Sequence, residues 1–176
     1  MLSATFLEFP AGEIFLAKTH KGLSLALFVK NKQEIEKITE SLKAKGHALL
    51  PDKTAFKEEK RLFDRYFRGE KEDFTTLNLD FISGTPYQKR VWREARKIPY
   101  GKTWTYKLLA HKLNHRGYRS VGQALARNPL LIVIPCHRVL RSDGSLGGFS
   151  AGLKVKKFLL ALEGTFPKGT PFALCS

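Results

Sequence analysis

Residues 130 to 134, Leu-Leu-Ile-Val-Ile, carry no charge, stop at Pro135 and run without a spacer into Cys136, His137 and Arg138. Five apolar residues, three of them β-branched, predict a short strand buried on both faces, and Pro135 has no N–H with which to continue a hydrogen-bond ladder. A thiol and two potential cations therefore leave a buried segment together. His137 and Arg138 are costly to desolvate unless partners or a ligand offset the loss. Gly144, Gly147 and Gly148 then let backbone approach something closely. A lone cysteine after an apolar run is usually a small core hydrophobe, but these neighbours argue for a site. A thiol beside cations ionises more readily than a free one, so Cys136 is the candidate nucleophile.

Charge tells where a partner would sit. The chain has 31 Lys and Arg against 16 Asp and Glu, a net charge of +15. Between Glu94 and Asp143 no acidic residue occurs, while ten Lys and Arg, from Arg96 to Arg141, supply +10 of that total. Acid-free clustering on this scale points to a polyanion. No stretch approaches the roughly 18 apolar residues of a membrane span, and the N-terminus lacks a secretory pattern. A cytoplasmic protein with no membrane partner is expected. Its two cysteines are Cys136 and Cys175, and a disulfide between them would consume the nucleophile, so a reducing compartment fits. Residues 1 to 135 contain no cysteine, which leaves no zinc framework; no metal and no cofactor are expected, and His111 and His115 read as surface residues.

Taken in order, Glu13 to Thr19 and Leu23 to Lys30 read as strands joined through His20-Lys21-Gly22. Ile35, Ile38 and Leu42 have helical spacing and stop at Gly46. Phe56, Phe63 and Phe67 repeat it from an Asp52 cap to Gly69, as core packing. Phe74 to Phe81 alternates, with Leu77, Leu79 and Phe81 on one face. Ser83-Gly84-Thr85-Pro86 marks a domain boundary and a helix start, capped by Thr85. Val91, Trp92, Ala95 and Ile98 form that helix's buried face. Thr105 caps a helix carrying Leu108, Leu109 and Leu113, and after Gly117 another carries Val121, Ala124 and Leu125. Two short helices joined by such a turn in the basic stretch make a helix-turn-helix. Leu153 to Leu162 reads as amphipathic, with Lys154, Lys156 and Lys157 outward. Glu163 then sits at a helix C-terminus, disfavoured there by roughly 0.3 to 1 kcal/mol. Either a donor such as His137 holds it, or it is a solvated residue at a frayed end. The expected architecture is an α/β domain over residues 1–82, a small sheet plus helices. A mainly helical domain over 83–176 follows, with a helix-turn-helix and a short strand leading to Cys136.

Ile134-Pro135-Cys136-His137-Arg138-Val139, with Ser142-Asp143-Gly144 and Gly147-Gly148-Phe149, resembles the active-site signature of the O6-alkylguanine-DNA alkyltransferases. Gly84-Thr85-Pro86-Tyr87-Gln88, Ile98 to Thr103 and Arg127-Asn128-Pro129 extend the resemblance over about residues 84–164. It implies repair of double-stranded DNA by irreversible transfer of an alkyl group from O6-alkylguanine, and also from O4-alkylthymine, to Cys136. The base is flipped out of the duplex, each molecule acts once, and a monomer suffices. By position, the resemblance makes His137 and Glu163 the base and its orienting partner, Asn128 a hinge residue near the site, and Tyr106 a donor to the flipped base. It makes Arg119 the side chain that fills the vacated stack, and Lys107, Asn114, Ser142 and Ser150 contacts to DNA or base. Phe149 and Ala151 stand where tyrosine and glycine are frequent, and the added methyl of Ala151 is expected to favour methyl over bulky adducts. Two other classes compete. A non-catalytic DNA-binding module would explain the charge and the helix-turn-helix but not the Cys136 cluster; a cysteine hydrolase would explain Cys136 and His137 but requires turnover of an ester or amide without DNA.

Overall fold

The computed structural model describes residues 1–10 and 12–165. Cys175 lies outside the described residues. The chain divides into two compact units, Met1–Ile82 and the part from Ser83 onward.

In the first unit β1 (Leu2–Phe9), β2 (Gly12–Thr19), β3 (Gly22–Val29) and β4 (Leu49–Pro51) form one sheet in the order β3-β2-β1-β4. β1 and β2 pair antiparallel with Thr5 opposite Leu16, β2 and β3 antiparallel with Phe15 opposite Leu27, and β1 and β4 parallel. The expected β2–β3 hairpin is present, and β1, an additional strand, completes the sheet's centre. Helix α1 (Lys32–Ala44) starts at Asn31, whose side chain accepts from the Glu34 N–H. Its Leu42, Ile35 and Ile38 pack with Leu2, Phe15, Ala17 and Leu25 of the sheet. Helix α2 (Lys57–Phe67) follows a 3-10 turn at Thr54–Phe56. Asp52 caps that turn, accepting from the Thr54 and Ala55 N–H groups. Phe9 stacks on Phe67 at 4.4 Å and Phe63 meets Phe74 at 4.9 Å. Burial of this aromatic stripe stabilises the unit, because each ring removes a large apolar area from water. Residues 74 to 81 form no strand. Phe74 takes a left-handed φ of 53°, its N–H bonded to Glu72, and only Leu79 makes an isolated bridge, to Leu23. The segment touches β3 at that one point, where the Leu23 N–H donates to the Asn78 carbonyl and the Asp80 N–H to the Leu23 carbonyl.

The second unit is mainly helical: α3 (Pro86–Ala95), α4 (Tyr106–Lys112), α5 (Tyr118–Ala126) and α6 (Leu153–Leu162), with a two-residue parallel pair, β5 (Trp104–Thr105) and β6 (Val139–Leu140). α3 begins with a capping box: Thr85 accepts from the Gln88 N–H, and the Gln88 side chain accepts from the Thr85 N–H. Gly84 has φ 95° and a Cβ there would fall 2.5 Å from the Trp92 ring, so only glycine fits. Trp92 donates from its indole N–H to the Ala124 carbonyl at 2.8 Å, tying α3 to α5. Thr105 caps α4 by accepting from the Leu108 N–H. The turn after α4 brings Ser120 Oγ to His115 and to Tyr87, at 2.7 and 3.0 Å. Leu109, Leu113, Val121, Ala124 and Leu125 are buried, whereas Leu108, expected on the inner face, is 39% exposed. Among the described residues no helix is long and apolar enough to cross a membrane.

The largest departure lies in residues 130 to 134. All five are buried, yet they form a tight turn, with the Ile134 N–H on the Leu130 carbonyl at 2.8 Å and Ile132 at φ 71°. A β-branched residue in the left-handed region costs roughly 1 to 3 kcal/mol. The Asn128 side chain holds it there: Oδ1 accepts from the Leu130 N–H at 2.9 Å and Nδ2 donates to the Ile134 carbonyl at 2.9 Å. One carboxamide does the work of a neighbouring strand.

Candidate active site

Cys136 opens a 3-10 turn, Cys136–Arg138, directly after this braced segment. Its side chain reaches the floor of a cleft of about 900 Å³ in the second unit, lined by Tyr106, Tyr118, Arg119, Arg141, Phe149 and Ser150 among others. The thiol is 5% exposed, and Asn128 Nδ2 donates to Sγ at 3.2 Å. Thus Asn128 both braces the turn and touches the nucleophile. The structure works against the expected easy ionisation: burial pushes the Cys136 thiol up to about 11, against the Asn128 bond and the charge of Lys156. The cations that follow it in the chain do not face it.

Both instead engage Glu163, just past the end of α6. His137 Nε2 lies 2.7 Å from Oε1, while Arg138 donates from Nε to Oε2 at 2.8 Å and from Nη2 to Oε1 at 3.1 Å. The partnered reading of Glu163 is the one found. Arg138 Nη1 also donates to the Ile98 carbonyl at 2.6 Å, and the Gly101 N–H to Glu163 Oε2 at 3.3 Å. Burial would raise the Glu163 carboxyl, but His137 and Arg138 hold it down at about 2. Burial lowers His137 against the pull of Glu163, so the ring is neutral near pH 7. A neutral imidazole beside a carboxylate carries its proton on Nε2, which leaves Nδ1 as the acceptor.

Above the floor, Tyr106 is the first residue of α4. Gly147 passes over its hydroxyl: φ there is 67° and a Cβ would sit 2.8 Å from the phenol oxygen. On the ring's other side a Cβ on Gly122 would be 3.7 Å away, so the phenol occupies a slot between α5 and the glycine loop. Lys107, Arg119, Ser142 and Ser150 are exposed on the cleft lining. Asp143 also lines the cleft, but its carboxylate is turned to its own loop, accepting from the Ser145 N–H and hydroxyl. Of the expected site residues, Asn114 is not brought to the cleft. It is exposed with φ 52°, its N–H on the His111 carbonyl, and ends α4 as asparagine commonly does.

Lys156 was expected to point outward and is instead fully buried, donating to the carbonyls of Val139, Leu146 and Gly148 at 2.7, 2.5 and 3.2 Å. The helical spacing held the signal, since Lys156 precedes the buried Leu159 and Leu160 by three and four residues. The bonds of Arg138 and the lining positions of Tyr118 and Arg141 carried no comparable mark.

Two family profiles match the chain: residues 2–81 the ribonuclease-like domain of 6-O-methylguanine DNA methyltransferase, and residues 86–165 its DNA binding domain. Methylated-DNA--protein-cysteine methyltransferase of Methanosarcina barkeri is 44% identical over 158 residues, 89% of this chain and 94% of the relative. Its Methanosarcina acetivorans counterpart is 39% identical over 90% of this chain and 96% of its own. The crystal structure of Mycobacterium tuberculosis OGT in complex with DNA superposes with a TM-score of 0.77 at 30% identity, covering 93% of each chain.

Proposed function

The chain belongs to the 6-O-methylguanine DNA methyltransferase family, and from that premise we propose that it repairs DNA by moving a methyl group from O6-methylguanine to its own Cys136. The observation that carries this is a single buried thiol at the floor of a cleft edged with basic side chains and backed by the His137–Glu163–Arg138 cluster. A thiol held near 11 is a poor nucleophile at rest, which protects it from stray electrophiles. It needs a base at the moment of attack. Neutral His137, oriented by Glu163, takes the proton through a water, because adjacent side chains do not face one another. The sulfur–carbon bond forms as the carbon–O6 bond breaks, and guanine leaves with the electron pair and takes up a proton, with Tyr106 as donor to the base.

The methyl carbon is out of reach inside a stacked duplex, so the base is flipped into the cleft. Arg119, exposed at the start of α5, fills the gap; Lys107, Ser142 and Ser150 hold phosphate or base at the rim, and Asn114 has at most a phosphate contact. O4-alkylthymine presents a similar carbon and is a second substrate. The reaction uses one chain and no cofactor, and the protein acts as a monomer in the reducing cytoplasm. Arg119→Ala should slow repair of duplex DNA by at least tenfold more than transfer from the free base O6-methylguanine, since only the duplex requires extrusion. Equal losses on both would remove Arg119 from that role.

A thioether is stable and nothing in the cleft can strip it, so transfer is irreversible. Mass spectrometry after incubation with an O6-methylguanine duplex should show one methyl per chain, on Cys136. The added methyl overpacks a site with 5% exposure, at a cost of about 1 to 3 kcal/mol. The alkylated protein should therefore melt below the free one. Several methyls per chain, or an unmoved melting curve, would contradict the corresponding half of this expectation.

A further inference from the structure

Lys156 is a buried charge that the reaction just described does not use. Its three N–H donors are spent on three carbonyls, one ending β6 and two in the glycine loop. Gly148 and its neighbours Gly147, Phe149 and Ser150 line the cleft, so the ammonium anchors that wall from behind. It lies 5.9 Å from the centroid of the Tyr106 ring, on the cleft side of α6. A leucine would fill such a position without the cost of burying a charge. His137 and Arg138 meet the Glu163 carboxylate. Lys156 meets carbonyl dipoles, and its charge acts on the Cys136 thiol against the burial that raises it.

We propose that Lys156 is a positioning residue for alkyl transfer: its ammonium fixes the glycine-loop wall of the cleft and supplies the positive charge that supports the Cys136 thiolate. The proposal rests on Cys136 being the alkyl acceptor. The groups that face Lys156 electrostatically are Cys136, Arg141 and His137, whose imidazole the ammonium helps to keep neutral, with the Tyr106 phenol above. Burial lowers Lys156 to about 8, against the pull of Cys136. A thiolate beside an ammonium holds the same number of protons as a thiol beside an amine, so the two titrate as a pair. The reactive ion pair grows tenfold per pH unit while Lys156 keeps its proton. Above about 8 the ion pair stops growing, because its ratio to the thiol–amine form, which holds the same number of protons, no longer depends on pH, and further thiolate forms beside a neutral amine.

The test is the rate at which iodoacetamide alkylates Cys136 in the full chain from pH 6.5 to 10, read on the Cys136 peptide so that Cys175 does not count. A second arm follows methyl transfer from an O6-methylguanine duplex at pH 7.5. In the wild type the logarithm of the iodoacetamide rate should rise with unit slope, flatten between about pH 8 and 9 as Lys156 loses its proton, and resume on a line about tenfold lower. In Lys156→Met the slope should run unbroken, from a rate about tenfold lower at neutral pH, one unit in the thiol's titration. Lys156→Gln keeps an N–H donor for the wall without the charge and should show the same unbroken slope and a slowed duplex reaction. A wild-type rate that climbs steadily to pH 10, or a break retained in Lys156→Gln, overturns the proposal while duplex repair continues. A break near pH 8 in a protein that takes no methyl from the duplex overturns instead the function on which it rests.

Discussion

Cys136→Ala is expected to reduce methyl transfer to nothing measurable, below a thousandth of the wild-type extent, while DNA binding survives. The substitution removes one sulfur atom from a buried position at the cleft floor. Asn128 loses its donor contact to Sγ but keeps the Leu130 and Ile134 bonds that brace the turn, so the fold should lose only about 1 kcal/mol, the typical net worth of one hydrogen bond. Binding comes from elsewhere, from the acid-free stretch whose Lys107 and Arg119 are exposed on the cleft lining. Affinity for duplex should therefore fall steeply with salt in wild type and variant alike, through counterion release. Labelled-methyl transfer and a salt titration of binding read the two properties separately. Label appearing on Cys175 in the variant at the normal rate would refute the assignment of the nucleophile.

The parts of this molecule that were legible in the sequence are those in which a local rule and the tertiary structure agree. Thr85, Pro86 and Gln88 spell a capping box, and the capping box is there. Val91, Trp92, Ala95 and Ile98 keep helical period, and all four are buried. Residues 130 to 134 defeated the same method because a segment buried on every side has no period to read. Its hydrogen bonds go to a side chain, Asn128, that composition cannot connect to it. The thiol was misjudged for a related reason. Sequence adjacency placed two cations beside Cys136, but the 3-10 turn sends both toward Glu163, and burial then decides the sign of the shift. Lys156 is the opposite case: its chemistry points to solvent, while its helical spacing to Leu159 and Leu160 places it inside. Local patterns mark which polar residues gather around Cys136; the direction in which each one points is set by turns and burial that no local pattern encodes.

Glu163→Gln is expected to cost about 3 to 5 kcal/mol of stability at pH 7, the usual loss when one partner of a buried ion pair is removed. Glutamine has the right size but one carbonyl oxygen in place of two charged ones. Arg138, 2% exposed, would keep the Ile98 carbonyl and lose its fork-to-fork partner. His137 would lose the anion that orients it, so transfer should slow, by less than in Cys136→Ala because the thiol remains. Acid should erase the difference between wild type and variant. The Glu163 carboxyl sits at about 2 when folded against an ordinary 4.5; a depressed carboxyl contributes fully above its unfolded value and loses that contribution as pH falls through the folded one. His137 acts in the same direction, since burial lowers it below 6.5 and unfolding lets it take up a proton in acid. Wild-type melting temperature should therefore drop from pH 7 toward pH 3. The gap to Glu163→Gln, measured under identical salt, should be widest near neutrality and narrow steadily below pH 4.5. A gap that stays constant across that range would mean that the carboxylate's charge does not hold the cluster together, and that shape and hydrogen bonding alone suffice.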